Sequence, residues 1–191
     1  MKRLAVLTVI LSLTGPLMLA QTSSWVPDKA HSEVDFSILH MSLSHVRGRF
    51  GNIGGTISWN EADISKSAVN VTIDVSSVDT GVSGRDADLK SSNYFDVAQF
   101  PTATFISTGV EKTSEGLIVH GNLTLHGVTK PVTLTVEGPS GPVPGMDHKP
   151  HAGFSATATI NRSDFGIAPK MPTAMLGDEV KLDIELDAAK Q

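Results

Sequence analysis

The stretch LTLHGVTKPVTLTVE, residues 123–137, is the part of the sequence that decides the fold. Apolar and polar residues alternate along both halves of it, which is typical of two antiparallel strands joined by a tight turn. One side of this hairpin carries the apolar residues Leu123, Leu125, Val132, Leu134 and Val136. Because the rest of the chain offers few amphipathic helices, that apolar side is expected to pack against other strands.

The same alternation recurs along the chain and predicts eight half-buried strands, two of which are the arms of the hairpin. The apolar positions of the other six are, in chain order, Val34, Phe36 and Ile38; Ile53, Ile57 and Trp59; Val69, Val71, Ile73 and Val75; Ala103 and Phe105; Phe154, Ala156, Ala158 and Ile160; and Val180, Leu182, Ile184 and Leu186.

Helix is predicted in only a few places. Ser83 and Asp86 have the Ser-x-x-Asp spacing of a capping box, which predicts a short helix between the third and fourth strands. The segments LHMSLSHV (39–46) and NRSDFG (161–166) are predicted to add single helical turns. The segment 138–150 contains three Gly and four Pro and is therefore predicted to be a loop.

Eight antiparallel strands with one apolar face each form either two packed sheets or one sheet closed on itself. An eight-stranded barrel has an interior that side chains can fill or that can hold one small ligand. The inward positions here include small residues, namely Gly55, Ala103, Gly121, Ala156 and Ala158. These residues indicate either an underfilled interior or bends and close packing between strands, and both interpretations stay open.

The first residues have the features of a secretory signal. A positively charged start is followed by an apolar run at Leu4–Leu13 and a small residue at Ala20, so residues 1–20 are predicted to be a cleaved Sec-type signal peptide. The run is shorter than the roughly 20 residues that a membrane-spanning helix needs. Residues 21–191 are therefore expected to form one periplasmic domain without a membrane segment.

Composition excludes several classes of function. The chain has 15 Lys and Arg against 20 Asp and Glu, a net charge of -5, and no cysteine. An acidic surface without interleaved basic and aromatic residues argues against a nucleic-acid partner. The lack of cysteine excludes disulfides and thiolate metal sites. No nucleophile elbow, P-loop or dinucleotide-binding glycine pattern is present, so no catalytic residue and no cofactor is predicted.

Four segments, in this order, resemble the YceI-like family of exported polyisoprenoid-binding proteins. They are WVPDKAHSEVDFSILHMSLSHVRGRFGNIGGTI (25–57), SSVDTGVSGRDADLKSSNYFDVAQFPTATFIS (76–107), GNLTLHGVTKPVTL (121–134), and INRSDFGI (160–167) with LGDEVKLDIEL (176–186). The resemblance implies an extended eight-stranded antiparallel, lipocalin-like β-barrel with one or two short helices. Its elongated cavity would hold a polyisoprenoid or another long aliphatic lipid.

The resemblance also implies a non-catalytic role in lipid transport, storage or stress, and it allows a homodimer. Two alternatives remain open from the residues themselves. One is a lipid-modifying hydrolase or isomerase that uses the same cavity, and the other is a filled barrel that acts as an interaction module.

The predicted ligand-binding set combines inward apolar residues with three polar ones: Phe36, Ile38, His40, Val71, Ile73, Arg85, Phe105, Leu123, Leu125, Leu134, Phe154 and Arg162. Each apolar member is also what an ordinary core position contains. The two arginines either meet a polar head group at the barrel mouth or brace loops through ion pairs, with Asp86 and Asp164 as helix caps. The seven histidines lack metal-site spacing, so no metal is predicted.

Overall fold

The computed structural model describes residues 22–191, so the predicted signal peptide lies outside the described residues. The strands are β1 (Ser23–Pro27), β2 (Glu33–His40), β3 (Ser44–Phe50), β4 (Ile53–Trp59), β5 (Ala68–Asp74), β6 (Thr102–Lys112), β7 (Leu117–Leu125), β8 (Val128–Pro144), β9 (Pro150–Asn161) and β10 (Leu176–Lys190). The helix α1 spans Ser83–Lys90, and short 3-10 helices lie at Ile64–Lys66, Val75–Ser77 and Arg162–Phe165. Among the described residues, no helix is both long and apolar enough to cross a bilayer.

The sheet closes on itself. Its antiparallel order runs β1-β4-β5-β6-β7-β8-β9-β10, and the C-terminal part of β10 pairs back with β1. The N-terminal part of β10 pairs with β2, which in turn pairs with β3. Since β2 follows β1 and β4 follows β3 after short bends, each pair acts as one long strand. The predicted eight-stranded antiparallel barrel with a short helix is therefore confirmed.

The hairpin at 123–137 forms the end of β7 and the start of β8. Its turn is the dipeptide His126–Gly127, with φ of 52° and 73°, the left-handed backbone of a two-residue hairpin turn. The apolar side of the ribbon faces the barrel interior, where Leu123 and Val136 are buried in the hydrophobic core.

Two strands were not predicted, and one predicted turn is wrong. β1 precedes the first predicted strand, and β3 occupies the second half of LHMSLSHV, where a helical turn was expected. Residues 41–43 connect β2 to β3, and Met41 and Ser42 are the central residues of a turn in which the Leu43 N–H donates to the His40 carbonyl oxygen (3.0 Å). β3 is largely exposed, so its sequence lacks the clear apolar alternation of the buried strands.

The loop predicted at 138–150 is mostly strand. β8 continues to Pro144 and pairs with β9 through two register shifts, so only residues 145–149 connect the two strands. Proline lacks the N–H that a regular ladder needs, but it is tolerated at such irregular positions. Gly and Pro content alone therefore gave the wrong prediction.

The helix at Ser83–Lys90 is confirmed, but its predicted capping box is wrong. Val82 is the residue before the first turn, and no side chain caps the helix. The Asp86 carboxylate instead accepts hydrogen bonds from the Thr80 N–H (2.9 Å) and the Thr80 hydroxyl (2.5 Å). Asp86 thus fixes the loop before the helix.

Both interpretations of the small inward residues apply, each at different positions. A Cβ on Gly55 would lie 2.2 Å from the Asn70 carbonyl oxygen, and one on Gly121 would lie 2.3 Å from the Phe105 ring. These two glycines therefore allow close packing. Ala156, in contrast, lines an internal cavity.

We expect Gly55→Ala to lower the free energy of unfolding by about 1–3 kcal/mol. Gly55 has a φ of 117°, and its neighbour is backbone, which cannot rotate away. Gly54→Ala is the matched control, since a Cβ there meets no atom within 4 Å. Urea unfolding of both variants measures the difference, and an equal loss in both would contradict this account.

Candidate ligand-binding cavities

The barrel interior contains two apolar cavities. The first, which we name the core cavity, has a volume of about 110 Å³ and lies within the hydrophobic core. The second, which we name the helix-side cavity, has a volume of about 350 Å³ and is lined by residues of α1 as well as by strands. Pockets that bind small molecules typically measure about 300–1,000 Å³, so of these two cavities only the helix-side cavity reaches this range.

The two cavities lie one after the other along the barrel axis. On β10, Val180 lines the helix-side cavity, Leu182 lines both, and Ile184 lines the core cavity. β2 shows the same succession from Ile38 to Val34. The cavities therefore adjoin at the level of Leu182 and form two parts of one lumen.

The structure places all twelve predicted ligand-binding residues on the walls of this lumen. Six line the core cavity, namely Val71, Ile73, Phe105, Leu123, Leu134 and Phe154. The other six line the helix-side cavity, namely Phe36, Ile38, His40, Arg85, Leu125 and Arg162. Their contact with a ligand stays a prediction.

Side chains do not fill the lumen. Leu134, Leu182 and Ile184 line the core cavity, yet they are only half-buried. The cavity of about 110 Å³ beside them shows that this part of the interior is not close-packed. Among the described residues that line the core cavity, none is ionisable.

Aromatic residues close the helix-side cavity where β3 separates from β5. The ring centroids of Phe36 and Phe50 are 5.4 Å apart, and those of Phe50 and Phe95 are 5.5 Å apart with the rings nearly perpendicular. Tyr94 and Leu89 complete this wall. Sequence reasoning missed these three residues of segment 89–95, because it treated that segment only as helix and not as a wall of the cavity.

Arg162 is a structural residue of the cavity wall. It is 4 % exposed, and its five N–H groups donate to five backbone carbonyl oxygens at 2.6–3.1 Å. The acceptors belong to Ile167, Ala168, Met171, Leu176 and Gly177.

This arrangement corrects two expectations. Arg162 braces the following loop through carbonyl groups and not through an ion pair, and no N–H group remains for a ligand head group. Asp164 is not a helix cap either, since no side chain caps the 3-10 helix at Arg162–Phe165.

Arg85 is placed differently. Its Nε donates to the Thr80 hydroxyl (2.7 Å), and one terminal nitrogen donates to the Thr80 carbonyl oxygen (2.9 Å). No carboxylate of residues 22–191 forms a salt bridge with it. The half-buried guanidinium therefore retains N–H groups that can face the helix-side cavity.

A second group of ionisable side chains lies near the other end of β10. His151 contacts Asp187 through Nδ1 (2.6 Å) and Asp147 through Nε2 (3.1 Å), and these hydrogen bonds, the one to Asp187 first, raise the pKa of His151. The Ala30 N–H and then His31 lower the pKa of Asp28.

The ligand atoms of Asp28, His31 and Asp187 lie within 4.8 Å of one another, so they are the described residues that could hold a cation. Hydrogen bonds engage its side chains: His31 contacts Asp28 (3.1 Å), and Asp187 contacts His151 (2.6 Å), which lies outside the group. The expectation that no metal binds stays a prediction.

Comparison with known proteins agrees with this architecture. Residues 25–188 match the family described as the YceI-like domain. Protein YceI of Salmonella newport is 41% identical over 165 residues, which cover 84% of this chain and 83% of that protein. The chain belongs to the YceI-like family.

Solved structures of other proteins share the fold of this YceI-like chain. The Campylobacter jejuni YceI protein is 33% identical with a TM-score of 0.70, covering 80% of this chain and 90% of that one. Burkholderia cenocepacia BcnA is 25% identical with a TM-score of 0.72, covering 84% and 98%. A polyisoprenoid binding domain from Saccharophagus degradans shares the fold at 19% identity and a TM-score of 0.65, covering 90% and 100%.

We expect Arg162→Met to destabilise the protein by about 3 kcal/mol or more, because it leaves buried carbonyl groups without donors. Arg47→Met is the control, since Arg47 is exposed on β3, and its effect should stay within about 0.5 kcal/mol. Guanidinium unfolding gives both values. Equal stability of the two variants would show that the carbonyl groups find other donors.

Proposed function

We propose that this protein binds a long polyisoprenoid, or another long aliphatic lipid, in the barrel lumen and carries or stores it in the periplasm without changing it chemically. The observation that carries this proposal is the succession of two apolar cavities along one axis. A lumen of this shape suits a long chain better than a compact ligand.

Membership in the YceI-like family supports a binding role. The solved polyisoprenoid binding domain from Saccharophagus degradans shares the fold, and its name states a ligand of the proposed class. The apolar start of the sequence supports export.

The absence of ionisable groups from the described lining of the core cavity favours binding over catalysis. General acid–base catalysis needs a titratable side chain within hydrogen-bond reach of the reacting group. A hydrocarbon tail in the core cavity would meet no such group.

Burial energies indicate loose selectivity for chain length. Burying hydrocarbon contributes about 0.8 kcal/mol per CH₂ group, or very roughly 3 kcal/mol for a five-carbon isoprene unit. Eight buried units would already exceed the ceiling of about 20 kcal/mol observed for non-covalent binding. Ordering costs and incomplete burial must therefore offset much of the gain.

Among the described lining residues, ionisable groups occur only at one end of the proposed site. The helix-side cavity is lined by His40, Arg85 and Asp88 among others, whereas the described lining of the core cavity is mainly apolar and contains no ionisable side chain. We therefore infer that the tail lies in the core cavity and that a polar head group lies near Arg85.

We expect Ile160→Trp to weaken prenyl binding about tenfold or more, because the larger ring occupies the helix-side cavity and displaces hydrocarbon. Thr159→Trp is the matched control, since Thr159 is exposed on the outside of the same strand. Displacement of a dansyl-labelled prenyl chain by geranylgeraniol measures the affinity.

Native mass spectrometry of protein purified from its own cells tests the function directly. A co-purified lipid that keeps its mass after prolonged incubation supports a carrier, and a lipid that changes its mass supports an enzyme. The proposed site would be refuted if the unmodified protein bound no prenyl lipid. It would also be refuted if the Ile160→Trp variant bound prenyl lipid as tightly as the unmodified protein.

We expect Arg85→Gln to weaken binding of a prenyl phosphate about tenfold and to leave binding of the corresponding alcohol within about twofold. Lys90→Gln is the control, because Lys90 belongs to the same helix but does not line the cavity. Isothermal titration with both lipids measures the effect. An equal loss for both lipids would assign Arg85 a purely structural role through Thr80.

A further inference from the structure

Exposed apolar side chains are concentrated at one end of the barrel. Eight large apolar side chains are exposed in the described part of the chain, and five of them lie near residues that line the helix-side cavity, in sequence or through a hydrogen bond. These five, which we name the mouth patch, are Met41, Leu43, Val82, Met171 and Met175. Exposure is pronounced at Leu43, with 82 % of its surface accessible.

Two turns bring four of these residues together. The Met41 N–H donates to the Met175 carbonyl oxygen (2.8 Å), and the Ser42 hydroxyl contacts the Ala174 carbonyl oxygen (3.4 Å). The flanking residues His40 and Leu176 are paired across β2 and β10, and both line the helix-side cavity. The turns therefore lie directly at the edge of this cavity.

Val82 lies in the chain next to another wall of the same cavity. It immediately precedes α1, whose residues Gly84 and Arg85 line the cavity. The mouth patch thus combines residues of three chain segments and is not a single exposed strand.

The charge of the two turns differs from that of the whole chain. Residues 41–44 and 170–175 include one ionisable side chain, Lys170, and no carboxylate, although the chain has a net charge of -5. The two turns therefore present apolar side chains with one cation and no carboxylate, which is compatible with phospholipid head groups.

The backbone conformation of the turn at Met41 and Ser42 does not explain why this turn carries apolar residues. Met41 and Ser42 have φ of 53° and 56°, a left-handed conformation for which Asn and Gly are preferred. The Met41 side chain is exposed and does not belong to the core. Neither the conformation of the turn nor a position in the core therefore accounts for an apolar residue here.

We propose that the mouth patch docks on the surface of a lipid bilayer, so that a lipid tail enters the helix-side cavity directly from the membrane. This inference rests on the proposed lipid-carrier function. Long hydrocarbon tails avoid water, and a patch that inserts its side chains among the lipid head groups would give the tail a route without exposure to solvent.

The test is co-sedimentation of the full chain with vesicles of equal parts phosphatidylethanolamine and phosphatidylglycerol. The double variant Leu43→Ser with Met175→Ser should lower the partition coefficient about tenfold or more, because two apolar side chains no longer insert. The matched control is Val143→Ser with Met146→Ser. These two residues are exposed at the β8–β9 turn, near the other end of β10. The control should sediment like the unmodified protein.

Two results would overturn the docking proposal. One is equal sedimentation of the unmodified protein and the Leu43→Ser, Met175→Ser variant. The other is a dimer of the unmodified protein that dissociates in this variant, as measured by light scattering, because the patch would then cover a second copy. Thermal melting of each variant verifies that it is folded.

A prenyl-binding assay without vesicles separates this proposal from the function on which it rests. We expect the mouth-patch variant to bind geranylgeraniol in solution as the unmodified protein does, since neither substituted residue lines a cavity. Patch-dependent sedimentation without any prenyl binding would support docking and refute the carrier function. Prenyl binding without patch-dependent sedimentation would support the carrier and refute docking.

Discussion

β10 is the strand on which the closure of the barrel depends. It pairs with β9 along one edge, and along the other edge it pairs first with β2 and then with β1. Without the second set of pairs, the curved sheet would have two open edges and its apolar interior would face water. The lumen is therefore a consequence of strand pairing and not of any single side chain.

Arg162 connects this closure to the mouth of the barrel. Its carbonyl acceptors span 167–177, and that segment ends at the first residues of β10. A loop of this kind would ordinarily leave buried carbonyl groups without partners, and one planar cation satisfies five of them. The same hydrogen bonds fix the loop that carries Met171 and Met175, so the shape of the mouth and the start of β10 have a common anchor.

Period-two alternation predicted the buried strands and the side chains that face the lumen, because inward positions follow directly from the pleat. The choice of a closed barrel over two packed sheets came from the family resemblance. Alternation was insufficient where structure depends on pairing partners. β3 has an exposed, polar sequence. β8 continues beyond Glu137 through Pro139, Pro142 and Pro144 because it pairs there with β9.

The role of Arg162 could not be predicted either. Whether a guanidinium meets carbonyl groups or a head group depends on the path of a loop that contains no periodic signal.

The division of the lumen at Leu182 determines how a tail could occupy both cavities. The lining changes from one cavity to the other between Val34 and Phe36 on β2 and between Leu123 and Leu125 on β7, so side chains lie at this boundary. Moving a side chain about 30° from its preferred rotamer costs on the order of 0.5–1.5 kcal/mol. Burying one further isoprene unit contributes very roughly 3 kcal/mol. The free energy gained by burying one isoprene unit exceeds the cost of displacing one or two side chains. A tail long enough to reach the boundary would therefore stabilise a continuous lumen. A shorter tail would leave the core cavity separate from the helix-side cavity.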